Sequence, residues 1–298
     1  MEISLIGFAA LMVMIFARIP LGVSMGVVGV VGFAYVQLEE FGNPRGWDAA
    51  FSMVSQVAFE TGLSYSLSVV PLFILMGNFI TEAGLSAQLY RASHAFLGHF
   101  RGGLALATVV SCGAFSAVCG SSMATAATMS KVAMPSMRKY NYSDGLASGS
   151  IAAGGTLGIL IPPSVILVIY GIMTETDIGM LFIAGLLPGF LGIVLYMAAV
   201  SATVHLKPES GPAVEKSSWA ERLSAFKHVW TICLLFIVVM GGIYSGVFTP
   251  TEAAGIGASG AFFIALLRRK LTFKSLTHTL VSSVRTTAML FFLVIGAV

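Results

Sequence analysis

The sequence predicts an all-α integral membrane protein that is built from an inverted repeat and contains a re-entrant helical hairpin. Of its 298 residues, 57% are hydrophobic and only 10% are charged, whereas soluble domains usually carry about 25% charged residues. Several apolar runs approach the roughly 20 residues that cross a bilayer as a helix. One segment rich in Gly and Ser also has basic residues on both flanks. The composition therefore disfavours a soluble enzyme and predicts a protein embedded in a lipid bilayer.

The charged residues indicate membrane topology rather than a nucleic-acid surface. The formal net charge is +3, but Lys and Arg lie in short loops between apolar runs instead of on one face, as topology signals do. No nucleic-acid partner is expected. The three cysteines, Cys112, Cys119 and Cys233, lie in apolar segments without metal-ligand spacing, so we expect buried free thiols and no cofactor.

Apolar runs and charges together predict the order of the segments. We expect spans at 3–16, 21–36, 63–80, 144–173, 181–204, 230–247, 252–267 and 286–298, mixed segments typical of interfacial helices at 39–60 and 271–285, and a polar cytoplasmic linker at 205–227. Basic residues favour the cytoplasmic side. Arg18 therefore marks a cytoplasmic turn, and the acidic turn at Glu175 and Asp177 is predicted to be external.

Two short patterns recur in the same order in the two halves of the chain. Arg18-Ile19-Pro20 joins two spans in the first half, and Phe248-Thr249-Pro250 joins two spans in the second. The apolar run at 72–77 likewise recurs at 291–296. Because the charges place the two copies in opposite orientations, they predict an inverted repeat, which in secondary transporters places the binding site near the bilayer midplane. Chance similarity between apolar sequences is the alternative.

Residues 101–139 predict a re-entrant hairpin. Basic residues flank both ends, and a single span would place one basic cluster outside, against the charge rule. A hairpin that enters and leaves from the cytoplasm satisfies both flanks. Its tip then lies at membrane depth, where non-helical backbone requires surrounding protein or a polar cavity. The predicted tip comprises Gly113, Ser116, Gly120, Ser121, Ser122 and Thr125. The alternative is a small-residue surface for helix packing.

A second interruption is predicted at 154–164, where glycines relax the helix and Pro162 and Pro163 remove backbone donors. Carbonyls freed by such a break, and helix C-termini, can coordinate a cation, whereas helix N-termini can receive a carboxylate. We therefore expect the chain to be unwound near Gly155 to Pro162 and to face the hairpin tip. A simple proline kink is the alternative interpretation.

The absence of acidic and histidine side chains from the hairpin favours sodium as the coupling ion. Residues 102–135 contain no Asp, Glu or His, whereas a proton relay needs such groups inside the membrane. A carboxylate from elsewhere in the protein is the alternative. An intramembrane hydrolase would need a histidine beside the hairpin serines, but His94 and His99 both flank a basic turn outside the apolar spans. A channel is the third class of function left open.

Four stretches resemble the large membrane subunit of tripartite ATP-independent periplasmic (TRAP) transporters, and the similarity extends over nearly the whole chain. They are Pro71 to Gly77, Gly113 to Ser122, Ala152 to Ser164 and Thr249 to Ala253. The third stretch contains Gly-Gly-Thr-Leu-Gly-Ile-Leu-Ile-Pro-Pro-Ser and is the most specific of the four.

The resemblance implies an ion-transporter-superfamily fold with a scaffold and a mobile, elevator-type transport domain in each repeat. On that basis residues 1–61 are scaffold helices, 62–204 the arm, hairpin and broken helix of the first repeat, 205–228 the cytoplasmic linker, and 229–298 the start of a second repeat that is incomplete in this chain. No enzymatic activity is expected.

The resemblance also implies a multi-pass protein of the bacterial inner membrane that takes up an organic acid, such as a C4-dicarboxylate, a sialic acid or another sugar acid, by sodium symport. Its implied partners are a small four-helix membrane subunit and a soluble periplasmic binding protein that delivers the substrate. A carboxylate transporter of the same superfamily that works without a binding protein is the alternative.

By position, the resemblance places one wall of the substrate site at Ser116, Gly120, Ser121, Ser122, Thr125, Gly155, Thr156, Gly158 and Pro162. Sodium itself is expected at Ser121, Ser122, Gly155, Gly158 and Pro162. Family members are longer, and the repeat predicts that the native chain continues past Val298 by roughly 100 to 130 residues with a second hairpin that opens from the periplasm.

Overall fold

The computed structural model describes residues 2–297, and the described chain consists of α-helices joined by short turns. The helices are α1 Glu2–Phe16, α2 Leu21–Glu39, α3 Gly46–Leu63, α4 Val69–Glu82, α5 Leu85–Leu97, α6 Gly103–Cys119, α7 Ser122–Lys139, α8 Asp144–Thr156, α9 Val165–Met173, α10 Ile178–Leu206, α11 Trp219–Tyr244, α12 Pro250–Leu267 and α13 Phe273–Ala297. Short 3₁₀ turns occur at Ser66–Ser68, Leu157–Ile159 and Pro208–Ser210.

Five of these helices, α2 and α10 to α13, are long and apolar enough to cross a membrane, and the bent pair Gly46–Leu63 with Ser66–Glu82 makes up to six. The predicted all-α membrane fold class is therefore confirmed for residues 2–297. The inverted repeat and the elevator-type division into scaffold and transport domain stay predictions.

Helix α11 begins at Trp219, well before the apolar run that the sequence pattern starts at Trp230. A capping box explains the early start: the Glu221 backbone N–H donates to Ser218 Oγ at 3.2 Å, and the Ser218 N–H donates to Glu221 Oε2 at 2.9 Å. Cys233 on this helix is exposed, whereas Cys112 and Cys119 are buried. The expectation of a buried thiol is therefore wrong for Cys233, because apolar residues on the outside of a membrane protein face lipid rather than protein.

Helix α13 is continuous from Phe273 to Ala297, where the sequence pattern predicted a mixed segment followed by a separate span. No glycine or proline occurs between Phe273 and Ile295, so nothing interrupts the helix. Its proposed counterpart in the first half is divided, because α3 ends at Leu63 and α4 starts at Val69. The copy at 72–77 thus lies in the short helix α4, which follows the interruption after α3, whereas the copy at 291–296 lies near the end of the long, unbroken helix α13.

Residues up to Leu67 and from Val284 onward form one compact unit. Within it, α2 approaches the last part of α13 so closely that backbone meets backbone. A Cβ added to Gly22 would lie 2.7 Å from the Phe292 carbonyl oxygen, and one added to Gly296 would overlap the Gly22 carbonyl oxygen. Small residues permit such contacts between helices in membranes, where lipid tails are as apolar as the side chains.

Residues Ser68–Ser283 form the second compact unit, and α6 lies at its centre with nearly all of its side chains buried. Helix α4 packs on α6 through Gly77, where an added Cβ would lie 2.9 Å from Cys119 Cα. On another face of α4, Phe79 meets Phe262 of α12 edge-on at 5.4 Å between ring centroids. The glycine that ends the Pro71 to Gly77 stretch is therefore needed for close packing against the hairpin.

Both ends of the α6–α7 hairpin are bound to the same short connecting segment. The Gly102 N–H, just before α6, donates to the Gly211 carbonyl at 2.8 Å, and the Ser143 N–H, after α7, donates to the Ser210 carbonyl at 3.0 Å. The Tyr142 hydroxyl links the two: it accepts from the Leu104 N–H at 3.1 Å and donates to the Pro212 carbonyl at 2.9 Å. Segment 101–139 is thus a helical hairpin whose ends lie together, and not one continuous helix.

Replacing Tyr142 by phenylalanine is expected to loosen this base of the hairpin. Burial raises the pKa of Tyr142, so the hydroxyl keeps its proton at neutral pH and donates to Pro212. The substitution removes both hydrogen bonds and leaves the buried Leu104 N–H without its acceptor, a loss of about 1–3 kcal/mol. Thermal unfolding of the purified protein in detergent checks this. Tyr35→Phe, at an exposed tyrosine of α2, is the control, and equal melting temperatures for the two variants would contradict the expectation.

Candidate ion and substrate site

The hairpin tip is a helix break at Gly120 and Ser121. Gly120 ends α6 with φ +63°, a left-handed conformation that glycine adopts without strain, and its N–H donates to the Ser116 carbonyl at 3.1 Å. Ser121 is extended and caps α7, because its Oγ accepts from the Ala124 N–H at 3.4 Å. A helix C-terminus and a helix N-terminus therefore meet within two residues.

The second break lies between α8 and α9. Helix α8 ends at Thr156, the 3₁₀ turn Leu157–Ile159 follows, and α9 starts at Val165 after the cis peptide bond between Pro162 and Pro163. Ser164 caps α9: its Oγ accepts from the Leu167 N–H at 3.4 Å and donates to the Ile159 carbonyl at 2.8 Å. The predicted interruption is confirmed, but it begins after Thr156, so Gly155 and Thr156 are helical rather than unwound.

The two breaks face each other, as predicted. The Val165 N–H of α9 donates to the Gly120 carbonyl of the hairpin tip at 3.4 Å. A Cβ added to Gly120 would lie 2.7 Å from the Pro163 carbonyl oxygen, and one added to Gly158 would lie 2.7 Å from the carbonyl carbon of Ser121. Glycines on both sides therefore allow the two irregular backbone segments to touch directly.

Helix ends of both signs meet at this contact. The N-termini of α7 and α9 start on either side of the bond between Gly120 and Val165, and each carries about half a positive charge. The C-terminus of α6 and the 3₁₀ turn after α8 supply carbonyl oxygens at the same place. The arrangement provides partial charges for a cation and for an anion without any ionised side chain, as broken helices do in secondary transporters.

Comparison with known proteins identifies the family. A family model described as the DctM component of tripartite ATP-independent periplasmic transporters matches residues 8–298. The chain belongs to this family. With five described helices able to cross a membrane, it is a multi-pass protein of the inner membrane.

Curated relatives agree with the family. The chain is 41% identical over 241 residues to the C4-dicarboxylate TRAP transporter large permease protein DctM of Pseudomonas aeruginosa. This alignment covers 80% of this chain and 56% of the relative. It is 38% identical over 212 residues to the ectoine permease TeaC of Halomonas elongata, covering 71% and 48% of the two chains. It is 34% identical over 234 residues to the sialic acid permease SiaM of Vibrio cholerae, covering 78% and 54%. The chain spans about half the length of these relatives.

Five of the residues that the TRAP resemblance nominates lie at the contact between the breaks. These are Gly120, Ser121, Ser122, Gly155 and Gly158. The contacts of Gly120 and Gly158 are given above. A Cβ added to Gly155 would lie 2.8 Å from Ala126 Cβ and 3.3 Å from the Ser122 carbonyl oxygen. Ser121 and Ser122 are half-buried. The tip serines thus lie directly against the backbone of the broken helix.

The other nominated residues have different surroundings. Ser116 is buried and its hydroxyl donates to the Cys112 carbonyl of its own helix at 2.6 Å. Thr156 is exposed and its hydroxyl is bonded to the Ala153 carbonyl at 2.7 Å and to the Tyr196 hydroxyl at 2.8 Å. Pro162 is buried within the break. These two hydroxyls therefore support helix backbone in this conformation.

Thr125 differs from the other hydroxyls because it lacks a partner of ordinary geometry. Its Oγ1 is fully buried and makes no hydrogen bond within the described residues, with the Cys119 thiol as the polar group beside it. A buried hydroxyl without a partner is energetically unfavourable. Among the predicted site residues, Thr125 thus has a buried hydroxyl, one turn behind the tip, with only the weakly hydrogen-bonding Cys119 thiol beside it.

Sequence reasoning missed Ser164 as a residue at the contact between the two breaks. Its Oγ caps α9 and also ties the 3₁₀ turn to the new helix, so it fixes the orientation of the second helix N-terminus. The signal was available: a serine placed directly before an apolar helical run is an N-cap signature. Tyr196 was also missed, and nothing in its sequence context marks it, because it comes from a distant helix.

Alanine at Gly158 is expected to force the break away from the hairpin tip. The added Cβ would lie 2.7 Å from the Ser121 carbonyl carbon and 2.8 Å from the Ser122 nitrogen, and backbone atoms cannot move aside cheaply. We expect a destabilisation of about 1–3 kcal/mol, together with loss of transport, measured by thermal unfolding in detergent and by uptake in proteoliposomes.

Gly149→Ala on α8 is the matched control, since a Cβ there meets nothing within 4 Å. If Gly158→Ala behaved like Gly149→Ala in both measurements, the close approach of the two breaks would not be needed for stability or transport.

Proposed function

We propose that the chain is the translocating subunit of a sodium-coupled TRAP transporter that takes up an organic acid. The observation that supports this most directly is the hydrogen bond between the Val165 N–H and the Gly120 carbonyl, which holds two helix breaks against each other. Irregular backbone inside a membrane is tolerated where it is surrounded by protein or lines a polar cavity. A pair of such breaks is typical of a binding site.

The helix ends support the proposal of an anionic substrate. The N-termini of α7 and α9 favour an anion with their combined positive potential and their free N–H groups. A carboxylate is the anion that suits an uptake system of this family, and a C4-dicarboxylate and a sialic acid are named for two of the relatives described above. We propose a carboxylate at these N-termini.

Sodium is proposed as the coupling ion for this site. Ser121, Ser122 and the carbonyls around Gly155, Gly158 and Pro162 offer neutral oxygens, and segment 102–135 contains no Asp, Glu or His. Neutral oxygen ligands suit a hard cation that has lost part of its hydration, whereas a proton requires a titratable carrier. The proposal therefore includes sodium and no further cofactor.

The proposed partners follow from family membership. A small four-helix membrane subunit would cover part of the exposed apolar surface, and a soluble periplasmic binding protein would deliver the acid to the external side. The proposed movement is of elevator type, in which the hairpin and the broken helix carry the site across the membrane.

Uptake is expected to require sodium. Proteoliposomes that contain the complete transporter with its partner subunits are supplied with radiolabelled organic acids under an imposed sodium gradient. Replacing sodium by choline at constant pH should abolish accumulation, because the neutral site has no other ion to bind. A protonophore serves as the control and should leave the initial rate unchanged. Uptake that persists in choline, or that collapses with the protonophore alone, would refute sodium coupling.

A further inference from the structure

A basic cleft lies in the second unit and shares no lining residue with the two helix breaks. It has a volume of about 400 Å³ and is lined by Ala83, Gly84, Ala87, Gln88, Arg91, Arg268 and Lys270. These residues come from the start of α5 and from the end of α12. A neighbouring cavity of about 460 Å³ shares Gln88 and Arg91 and extends along the first turns of α11. The two cavities adjoin at Gln88 and Arg91, and their lining side chains are mainly basic and small.

Arg268 is fixed in this cleft by neutral groups. Its Nη1 donates to Gln88 Oε1 at 2.6 Å, and its Nη2 donates to the His228 carbonyl at 3.1 Å. Neither acceptor carries a charge, so the guanidinium keeps its full positive charge and has further N–H donors left over. Partial burial lowers the pKa of Arg268, in keeping with a cation that has lost water and gained no anionic partner.

The cleft keeps an excess of positive charge. Among the described residues, Arg138 and Asp144 form the single salt bridge, so Arg91, Arg268 and Lys270 are not neutralised by carboxylates there. The one carboxylate in the adjoining cavity is Glu221. Its Oε2 already accepts the Ser218 N–H in the capping box of α11. Three cations against one engaged carboxylate call for an anionic ligand with several acceptor oxygens.

Exposed apolar side chains adjoin the basic residues. Leu266 and Leu267, which directly precede Arg268, are 48% and 83% exposed, and Phe263 one turn earlier is 59% exposed. The charge rule places Arg268 to Lys270 on the cytoplasmic side of the membrane. A ligand that combines an anionic head with an apolar body would satisfy both surfaces at once.

We propose that this cleft binds the phosphate headgroup of an anionic phospholipid of the cytoplasmic leaflet, with its acyl chains along the end of α12. Basic pockets between helices on the cytoplasmic side bind such headgroups through charge and hydrogen bonds. Arg268 supplies a planar donor that is already oriented, and a pre-oriented guanidinium can hold a phosphate through two parallel bonds. Arg91 of α5 and Lys270 after α12 add positive charge to the same cleft.

The test measures lipid binding to the purified transporter in neutral detergent. Dioctanoyl phosphatidylglycerol is titrated while the melting temperature is followed, with dioctanoyl phosphatidylcholine and inorganic phosphate as separate arms. We expect saturable stabilisation by phosphatidylglycerol alone, because the cleft needs the anionic head and the apolar body together. If inorganic phosphate stabilised the protein to the same extent, the cleft would bind a free anion and the lipid proposal would be wrong. If phosphatidylcholine stabilised it equally, the negative charge of the headgroup would play no part and the proposal would also be wrong.

Variants locate the binding in the cleft. Arg91→Gln and Lys270→Gln, both at exposed positions, should each weaken phosphatidylglycerol binding about five-fold, and the double variant about 25-fold. Arg268→Gln should also weaken phosphatidylglycerol binding. Because it removes the hydrogen bond to Gln88 as well as the charge, the Arg91 and Lys270 variants decide the test. Arg101→Gln changes the same charge at an exposed position outside the cleft and should leave binding unchanged. Unaltered affinity in the double variant, or an equal loss in Arg101→Gln, would overturn the proposal.

Discussion

The contact between the hairpin tip and the break after α8 is the feature on which the rest of this structure depends. A backbone that leaves the helical state inside lipid loses hydrogen bonds that no solvent can replace. Here each break supplies what the other lacks: the Gly120 carbonyl accepts the Val165 N–H, and Ser121 and Ser164 cap the two helices that restart. The two breaks thus satisfy part of each other's backbone hydrogen bonding through this contact.

Glycine makes this contact possible and also joins the helices around it. Gly158 lies against the backbone of Ser121, Gly77 of α4 lies against Cys119 of α6, and Gly22 lies against Phe292 in the other compact unit. Each approach is too close for a side chain. In lipid, where apolar side chains gain little by leaving one apolar environment for another, such backbone contacts supply much of the packing energy. The glycines therefore act as packing residues rather than as sites of flexibility.

The base of the hairpin is built differently from its tip. At the base, backbone groups of segment 210–212 and the Tyr142 hydroxyl close the two helix ends with ordinary hydrogen bonds. At the tip, the half-buried serines leave polar atoms accessible, and the Thr125 hydroxyl behind them is buried with only a thiol beside it. A firmly held base and a polar tip suit an element that presents a site while it stays attached to its unit.

Much of this could be predicted from the sequence, because lipid imposes simple rules on composition and charge. The apolar content predicted the membrane class, the basic flanks of 101–139 predicted the hairpin, and the prolines at 162 and 163 predicted the second break. Local patterns also contained the cap at Ser164, although it was not recognised. The helical state of Gly155 and Thr156 could not be predicted, since proline restricts only its immediate neighbours. Nor could the exposure of Cys233, because lipid-facing and protein-facing residues are equally apolar. The sequence by itself determined which segments of the helical chain are interrupted, through their glycines and prolines. Only the tertiary structure decided where each interruption begins and which groups meet, because the partners of Gly120, Thr156 and Arg268 come from helices far apart in the chain.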